Sequence, residues 1–185
     1  MATEEKQVNI LYHKLGHQLL DKGIWFSRNA YKLNPIVFTR FQILTFLNQQ
    51  TGIPINNLSL ADNRFYVESW GKWGQIIDFD LLDQQKYLDD TRDCDNYALM
   101  FTARASLIYG LNSAPTAFGN VLDAKTGNFI TRHGFNLIIA HDNGLLKLYL
   151  YEPQTDDSVL WSKDTTYNTL QNLNWIYRPD WILMF

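Results

Sequence analysis

Apolar residues recur at three- and four-residue spacing between positions 5 and 21, at Val8, Leu11, Tyr12, Leu15, Leu19 and Leu20. That period predicts an amphipathic helix, stopped at Gly23. A second helix is predicted over 34–50, where Ile36, Val37, Phe38, Phe41, Ile43, Leu44, Phe46 and Leu47 suit an element buried on most sides. Pro35 suits its first turn, and Thr51-Gly52-Ile53-Pro54 ends it. Residues 56–66 read as irregular, with a short strand at Phe65-Tyr66-Val67. Trp70, Trp73 and Ile77 can share one helical face, and aromatics so spaced read as core. From Tyr97 to about Tyr109 a buried helix is predicted, carrying Ala98, Phe101, Ala103, Ala105, Leu107 and Ile108 and closed by Gly110. Its small residues let it lie close against a sheet.

From Thr131 onward the pattern alternates. His133 to Ala140 is one predicted strand and Leu145 to Glu152 the next, joined through His141-Asp142-Asn143-Gly144. With Asp142 and Asn143 as the turn, Phe135 faces Leu150, Leu137 faces Leu148, Ile139 faces Leu146, and His133 faces Glu152. With Asn143 and Gly144 as the turn, His133 opposes Gln154 and Glu152 becomes its diagonal neighbour on the same face. Either way an imidazole and a carboxylate meet at the open end of an apolar sheet face; a three-residue turn would break that parity. Asn136, Lys147, Tyr149 and Tyr151 fall on the opposite face, and His141 falls in the turn, exposed to solvent.

Helices first and strands afterwards predict a single α+β domain over 1–185, a Cys-bearing central helix packed on an antiparallel sheet. Residues 1–60 form its helical N-terminal part, or a lid, and 70–185 its core. A hydrophobic content of 46% with six Trp indicates a well-buried protein rather than a disordered one. A net charge of −3 with no basic stripe argues against nucleic acid as a partner. No apolar run approaches the ~20 residues needed to cross a bilayer, so no membrane partner is expected. The polar, acidic start, Met1-Ala2-Thr3-Glu4-Glu5-Lys6, does not read as a signal peptide. A soluble protein of a reducing compartment, cytoplasmic or carried in a virus particle, is the simplest expectation.

Candidate chemistry centres on Cys94, the single cysteine, at the start of the 97–109 helix. Unpaired N–H groups and the positive end of the helix dipole stabilise a thiolate there. A nucleophile also needs a base and an orienting acid, and His133 and Glu152 are the pair the hairpin supplies. Asp93 and Asp95 flank the thiol and are expected to raise its pKa, a conflict that a bound cation would remove. His13 and His17 stand one helical turn apart, but Lys14 replaces the glutamate of a metalloprotease His-Glu-x-x-His motif, so they read as surface histidines. Asp78, Asp80 and Asp83 lack the glycine and glutamate of an EF-hand loop.

The order cysteine at a helix start, histidine at a strand start, then an acid, resembles that of the papain-like and transglutaminase-like cysteine peptidases. Asp93-Cys94-Asp95-Asn96-Tyr97-Ala98 and Tyr151-Glu152-Pro153-Gln154 resemble the protease domain at the C-terminus of a mushroom agglutinin, and related phage-encoded proteins, over roughly Trp70 to Gln154. The N-terminal residues are too few for the agglutinin's lectin trefoil, so the resemblance implies no sugar binding. It implies Cys94 as nucleophile, His133 as proton carrier and Glu152 as its orienting group. It also implies calcium, held by Asp90, Asp93, Asp95, Glu152 and Gln154. The activity expected is cysteine-dependent hydrolysis of peptide or isopeptide bonds in a peptide or protein substrate. The alternatives are an inactive structural or binding protein of a phage particle with the same fold, a transglutaminase, or a cell-wall amidase. The second oxyanion donor is not identified; Gln84 and Gln85 precede the cysteine by ten and nine residues.

Overall fold

The structure, a computed structural model, describes residues 31–88, 93–163, 166–168 and 174–185. The helix predicted over 5–21, with His13 and His17, lies outside the described residues, as do Asp89, Asp90 and Arg92. In chain order the described elements begin with β1 (Ile36–Thr39), α1 (Arg40–Thr51), β2 (Leu58–Leu60), β3 (Arg64–Val67), α2 (Trp70–Asp80) and α3 (Cys94–Arg104). The remainder are β4 (Thr116–Asp123), β5 (Phe129–Asp142), β6 (Leu145–Glu152), β7 (Asp157–Leu160), β8 (Thr166–Asn168) and β9 (Asn174–Met184).

The protein is α+β, as its pattern predicts, but the sheet is mixed rather than antiparallel. Seven strands join in the order β2-β9-β4-β5-β6-β7, with β8 also on β9. The β2–β9 pair is parallel and carries Leu58 and Leu60 into the sheet edge beside Ile182 and Met184. A separate two-stranded ribbon pairs β1 with β3.

That ribbon corrects the helix predicted over 34–50. Ile36–Thr39 is extended, and the helix begins only at Arg40. Its start is fixed by a capping box: the Gln42 N–H donates to Thr39 Oγ1 at 3.4 Å, and Gln42 Oε1 accepts the Thr39 N–H at 2.8 Å. Gly52 closes it in the left-handed region, at φ 76°.

The hairpin turn is Asn143-Gly144, not Asp142-Asn143. Both residues have positive φ, 50° and 85°, the backbone of a type I′ turn, which Asn-Gly adopts at little cost. Leu137 therefore faces Leu150, Ile139 faces Leu148 and Asn136 faces Tyr151, two residues out from the first alignment. The shift preserves parity, so the apolar face survives. Phe135, Leu137, Ile139, Leu148 and Leu150 join Ile43 and Leu47 of α1 and Phe65 and Val67 of β3 in one buried cluster. Ile53, Leu58 and Leu60 belong to the same cluster, so residues 43–60 are built into the body of the protein.

The other face of the sheet is covered as well. Trp73, Ile76 and Ile77 of α2 and Tyr97, Ala98 and Phe101 of α3 pack on Ile138, Ala140 and Tyr151. Trp73 is fully buried, in keeping with its core reading, and Trp70 stacks on Tyr149 with ring centroids 3.7 Å apart. Coverage on both faces explains why Ile138 and Ala140 break the polar alternation expected of a one-sided strand. His141 is correspondingly not a solvated turn residue. It lies in β5 beside Ser69, and both of its ring nitrogens are buried without a hydrogen-bond partner.

Candidate active site

Cys94 is the first residue of α3. Asp93 precedes it in extended conformation, and Asn96 Oδ1 accepts the Asp93 N–H at 3.3 Å, which ends the upstream chain and starts the helix. The thiol therefore sits in the first turn, where backbone donors lack intrahelical acceptors. It is neither exposed nor fully buried.

Strand β5 brings the second group. The ladder between β5 and β6 begins at Asn136–Tyr151, so on that side Phe129 to Phe135 are left without a strand partner. The start of α3 occupies this gap. Gly134 N–H, which no β6 carbonyl meets, donates to Cys94 Sγ at 3.4 Å. The approach requires glycine: a Cβ on residue 134 would lie 2.7 Å from Asp95 Cα. His133, one residue earlier, points to the opposite sheet face, where its ring lies 6.2 Å from Phe135 and 5.9 Å from Tyr177 between centroids.

Glu152 ends β6 and is 6% exposed. His133 Nε2 is 2.9 Å from Glu152 Oε1, the diagonal relationship that the Asn143-Gly144 turn dictates. With Nε2 held by Glu152, Nδ1 is the ring nitrogen left to serve the Cys94 sulfur, whose thiol His133 lowers. The structure thus brings Cys94, His133 and Glu152 into one connected chain of polar contacts.

The electrostatics favour an ion pair. Burial pushes the Cys94 thiol up, but the hydrogen bonds from His133 and Gly134 and the charge of His133 outweigh it and hold the thiol below its ordinary value. Asp93 acts in the direction expected, raising the thiol, and is outweighed. For His133, burial disfavours the imidazolium; the charge of Glu152 and the hydrogen bonds to Cys94 and Glu152 override it and raise the pKa to about 10. Both shifts act in the direction of a thiolate–imidazolium pair.

A buried polar network below the thiol went unnoticed in the sequence. Asn136 Nδ2 donates to the Ala98 carbonyl at 3.0 Å and to Thr102 Oγ1 at 3.0 Å. Thr102 Oγ1 also donates to the Ala114 carbonyl at 2.7 Å and lies 2.8 Å from Thr116 Oγ1. These groups tie α3 to β4 and β5 and fix the height of Cys94 above the sheet. The available signal was Asn136 set in the apolar run from Phe135 to Ala140. Gln84 and Gln85 are exposed, and the Gln85 carbonyl accepts from the Tyr97 hydroxyl.

Of the residues expected to hold calcium, Asp93, Asp95, Glu152 and Gln154 are described. Among the described residues no three His, Cys, Asp or Glu side chains gather as a metal-holding group, and Asp90 lies outside them. Glu152 Oε1 is engaged by His133. A hydrogen bond with Asp93, then burial and the charge of Asp93, raise the Asp95 carboxyl above its ordinary range. Asp93 Oδ1 and Gln154 Nε2 are buried without partners.

No family model matches the chain, and no curated protein matches it. Solved structures do. One is a PSL1a complex with E-64, at TM-score 0.55 and 16% identity, covering 80% of this chain and 50% of that one. Another is a Polyporus squamosus lectin bound to a human-type influenza-binding epitope, at TM-score 0.55 and 14% identity, covering 80% of this chain and 49% of that one. The chain therefore spans about half the length of these neighbours, and at such identity the likeness is one of fold. The resemblance to the papain-like and transglutaminase-like peptidases is corrected by this finding: the structures matched are those of a sugar-binding mushroom lectin, and no protease family is shown. Among the described residues, no helix is long and apolar enough to cross a membrane.

Proposed function

We propose that the protein is a cysteine-dependent hydrolase of amide bonds in a peptide or protein substrate, with Cys94, His133 and Glu152 as its reacting and orienting groups. The observation that carries the reading is the connected line from sulfur through imidazole to carboxylate, with Glu152 2.9 Å from His133 Nε2 and the Gly134 N–H 3.4 Å from Cys94 Sγ.

The Cys94 thiolate attacks the amide carbonyl carbon, and the carbonyl π electrons move to oxygen. His133, as imidazolium, gives its proton to the leaving nitrogen as the C–N bond breaks and an acyl-thioester forms. His133, now neutral, takes a proton from water, which attacks the thioester; the carboxylic acid leaves and the thiolate–imidazolium pair is restored. Glu152 holds the ring with Nδ1 toward sulfur and stabilises its charged form. The Cys94 N–H, in the unpaired first turn of α3, is placed to receive charge on the carbonyl oxygen.

Support from outside the chain is limited to one point: a neighbour of similar fold was solved with E-64 bound. Wild type and Cys94→Ala are to be compared on a peptide library, with and without added calcium. Cleavage by the wild type alone is expected, and equal cleavage by both removes the reading. Incorporation of a primary amine into casein in place of hydrolysis would turn it into a transglutaminase.

A further inference from the structure

Strand β5 runs past the end of β6. Between Phe129 and His133 it is bonded to β4 on one side, and among the described residues no chain pairs with its other edge. Phe129 and Ile130 are 62% and 42% exposed, and Thr131 and Arg132 are exposed too. Native sheets commonly blunt such an edge with proline or lysine. Phe129-Ile130-Thr131-Arg132 carries neither.

The direction of the backbone groups follows from the ladder. The Leu137 N–H donates to the Pro115 carbonyl and the Ile139 N–H to the Ser113 carbonyl, so odd-numbered residues of β5 turn their peptide groups toward β4. Even-numbered residues turn theirs the other way, as the Gly134 N–H shows by meeting Cys94 Sγ at 3.4 Å. The register with β4 is unbroken from Asn136 to Thr131, so the parity carries to Arg132. Arg132 therefore presents its N–H and C=O on the same open edge, two residues from the Cys94 contact. Its carbonyl accepts the Thr131 hydroxyl at 3.1 Å and retains a second lone pair. Its side chain is drawn away from the edge, toward Asn120 of β4 and Asp180 of β9, with Nη1 3.3 Å from Asn120 Oδ1 and Nη2 2.7 Å from Asp180 Oδ1.

We infer that this edge binds substrate as an added β-strand: an extended, unfolded segment of a peptide or protein pairs with Arg132 and runs across Cys94. The inference rests on the hydrolase reading and supplies its substrate class. Two strand residues span roughly 7 Å, so the substrate residue beside Arg132 lies about two positions from the bond attacked by Cys94. In either direction of pairing, substrate N–H groups alternate between facing β5 and facing away. An amide bond inside a helix or a folded domain cannot present such a strand and is cut only after unfolding.

The test uses Cys94→Ala protein and the library peptide that it binds most tightly. That peptide is resynthesised with an N-methyl group at each residue in turn, and binding is read by fluorescence anisotropy. A loss of about tenfold, the worth of one hydrogen bond, is expected at a residue whose N–H faces Arg132, with little change at the residue on either side. On the protein, hydrogen exchange of the Arg132 amide is expected to slow at least about tenfold when the peptide binds, and that of Thr131, already bonded to β4, to stay as it is. Arg132→Pro removes the outward N–H and should weaken binding as far as the N-methyl group does. Arg132→Ala keeps that N–H while losing the Asp180 pair, and should not. A library with no bound peptide, an N-methyl scan without alternation, or an Arg132 amide left unprotected overturns the strand. Alternation without cleavage by the wild type keeps the strand and removes the hydrolase, and cleavage without alternation does the reverse.

Discussion

His133 Nε2 and Glu152 Oε1 are 2.9 Å apart although the ladder between β5 and β6 ends at Asn136–Tyr151, short of both residues. The bond spans the open end of the hairpin and holds the imidazole over the gap that α3 fills. Glu152→Gln keeps the shape and removes the charge. We expect kcat/KM to fall by about 10² or more, by analogy with loss of the acid from a hydrolytic triad. The alkaline limb of the pH profile is expected to move down from about 10, because the charge of Glu152 is the largest factor raising His133. A profile unmoved by the substitution contradicts the role.

The sign of the stability effect follows from the same shift. His133 is raised above 6.5 in the folded protein, so the pair stabilises fully below that value and the gain is lost as pH rises toward 10. Denaturant titrations of wild type and Glu152→Gln should therefore diverge most below pH 6.5 and converge at high pH.

Gly134 is the second test. Alanine there would place a Cβ 2.7 Å from Asp95 Cα, so the start of α3 must lift away and the N–H contact to Cys94 Sγ must lengthen. We expect a loss of about 1–3 kcal/mol in stability, the range for overpacking a tight contact. Alkylation of Cys94 at pH 6 should slow, because one of the hydrogen bonds holding the thiol down is lost. Unchanged alkylation at reduced stability would confine Gly134 to packing.

Thr102→Val removes a hydroxyl that joins Ala98, Ala114, Thr116 and Asn136. Leaving these buried partners unpaired should cost about 1–3 kcal/mol. The variant should also be slower per folded molecule, since the network sets the distance from α3 to β5. Chemical denaturation and active-site titration separate the two effects.

Asp80 offers a control away from the active site. It is buried, paired with Arg104 at 2.9 Å, and burial raises its carboxyl to about 6. A carboxyl raised on folding stabilises the protein below its unfolded pKa and loses that contribution as pH rises through the folded value. Stability should fall between about pH 4 and 6, with a smaller slope in Asp80→Asn.

The alternation from His133 to Glu152 showed in the sequence because it is written in side-chain type, and parity survives a shift of two residues. The turn stays open between two alignments in the sequence, since Asp-Asn and Asn-Gly both suit tight turns; only the second takes positive φ at both positions easily. The strand at Ile36–Thr39 was absorbed into a helix because its apolar run continues into α1; Thr39 and Gln42, three apart, were the missed boundary. The role of Gly134 and the partners of Asn136 were invisible for a different reason. Their roles depend on how closely α3 approaches β5, which no local pattern encodes. The same holds for His141, whose backbone bridges to Ser69.

The account depends on a thiolate at Cys94 sustained by His133. Its most direct measurement is the rate at which E-64 forms a covalent adduct at pH 6, located by peptide mass mapping, in the wild type and in His133→Ala. A single adduct on Cys94, slowed at least about a hundredfold without the imidazole, is the expected result. No adduct on the wild type, or equal rates in both proteins, would contradict it.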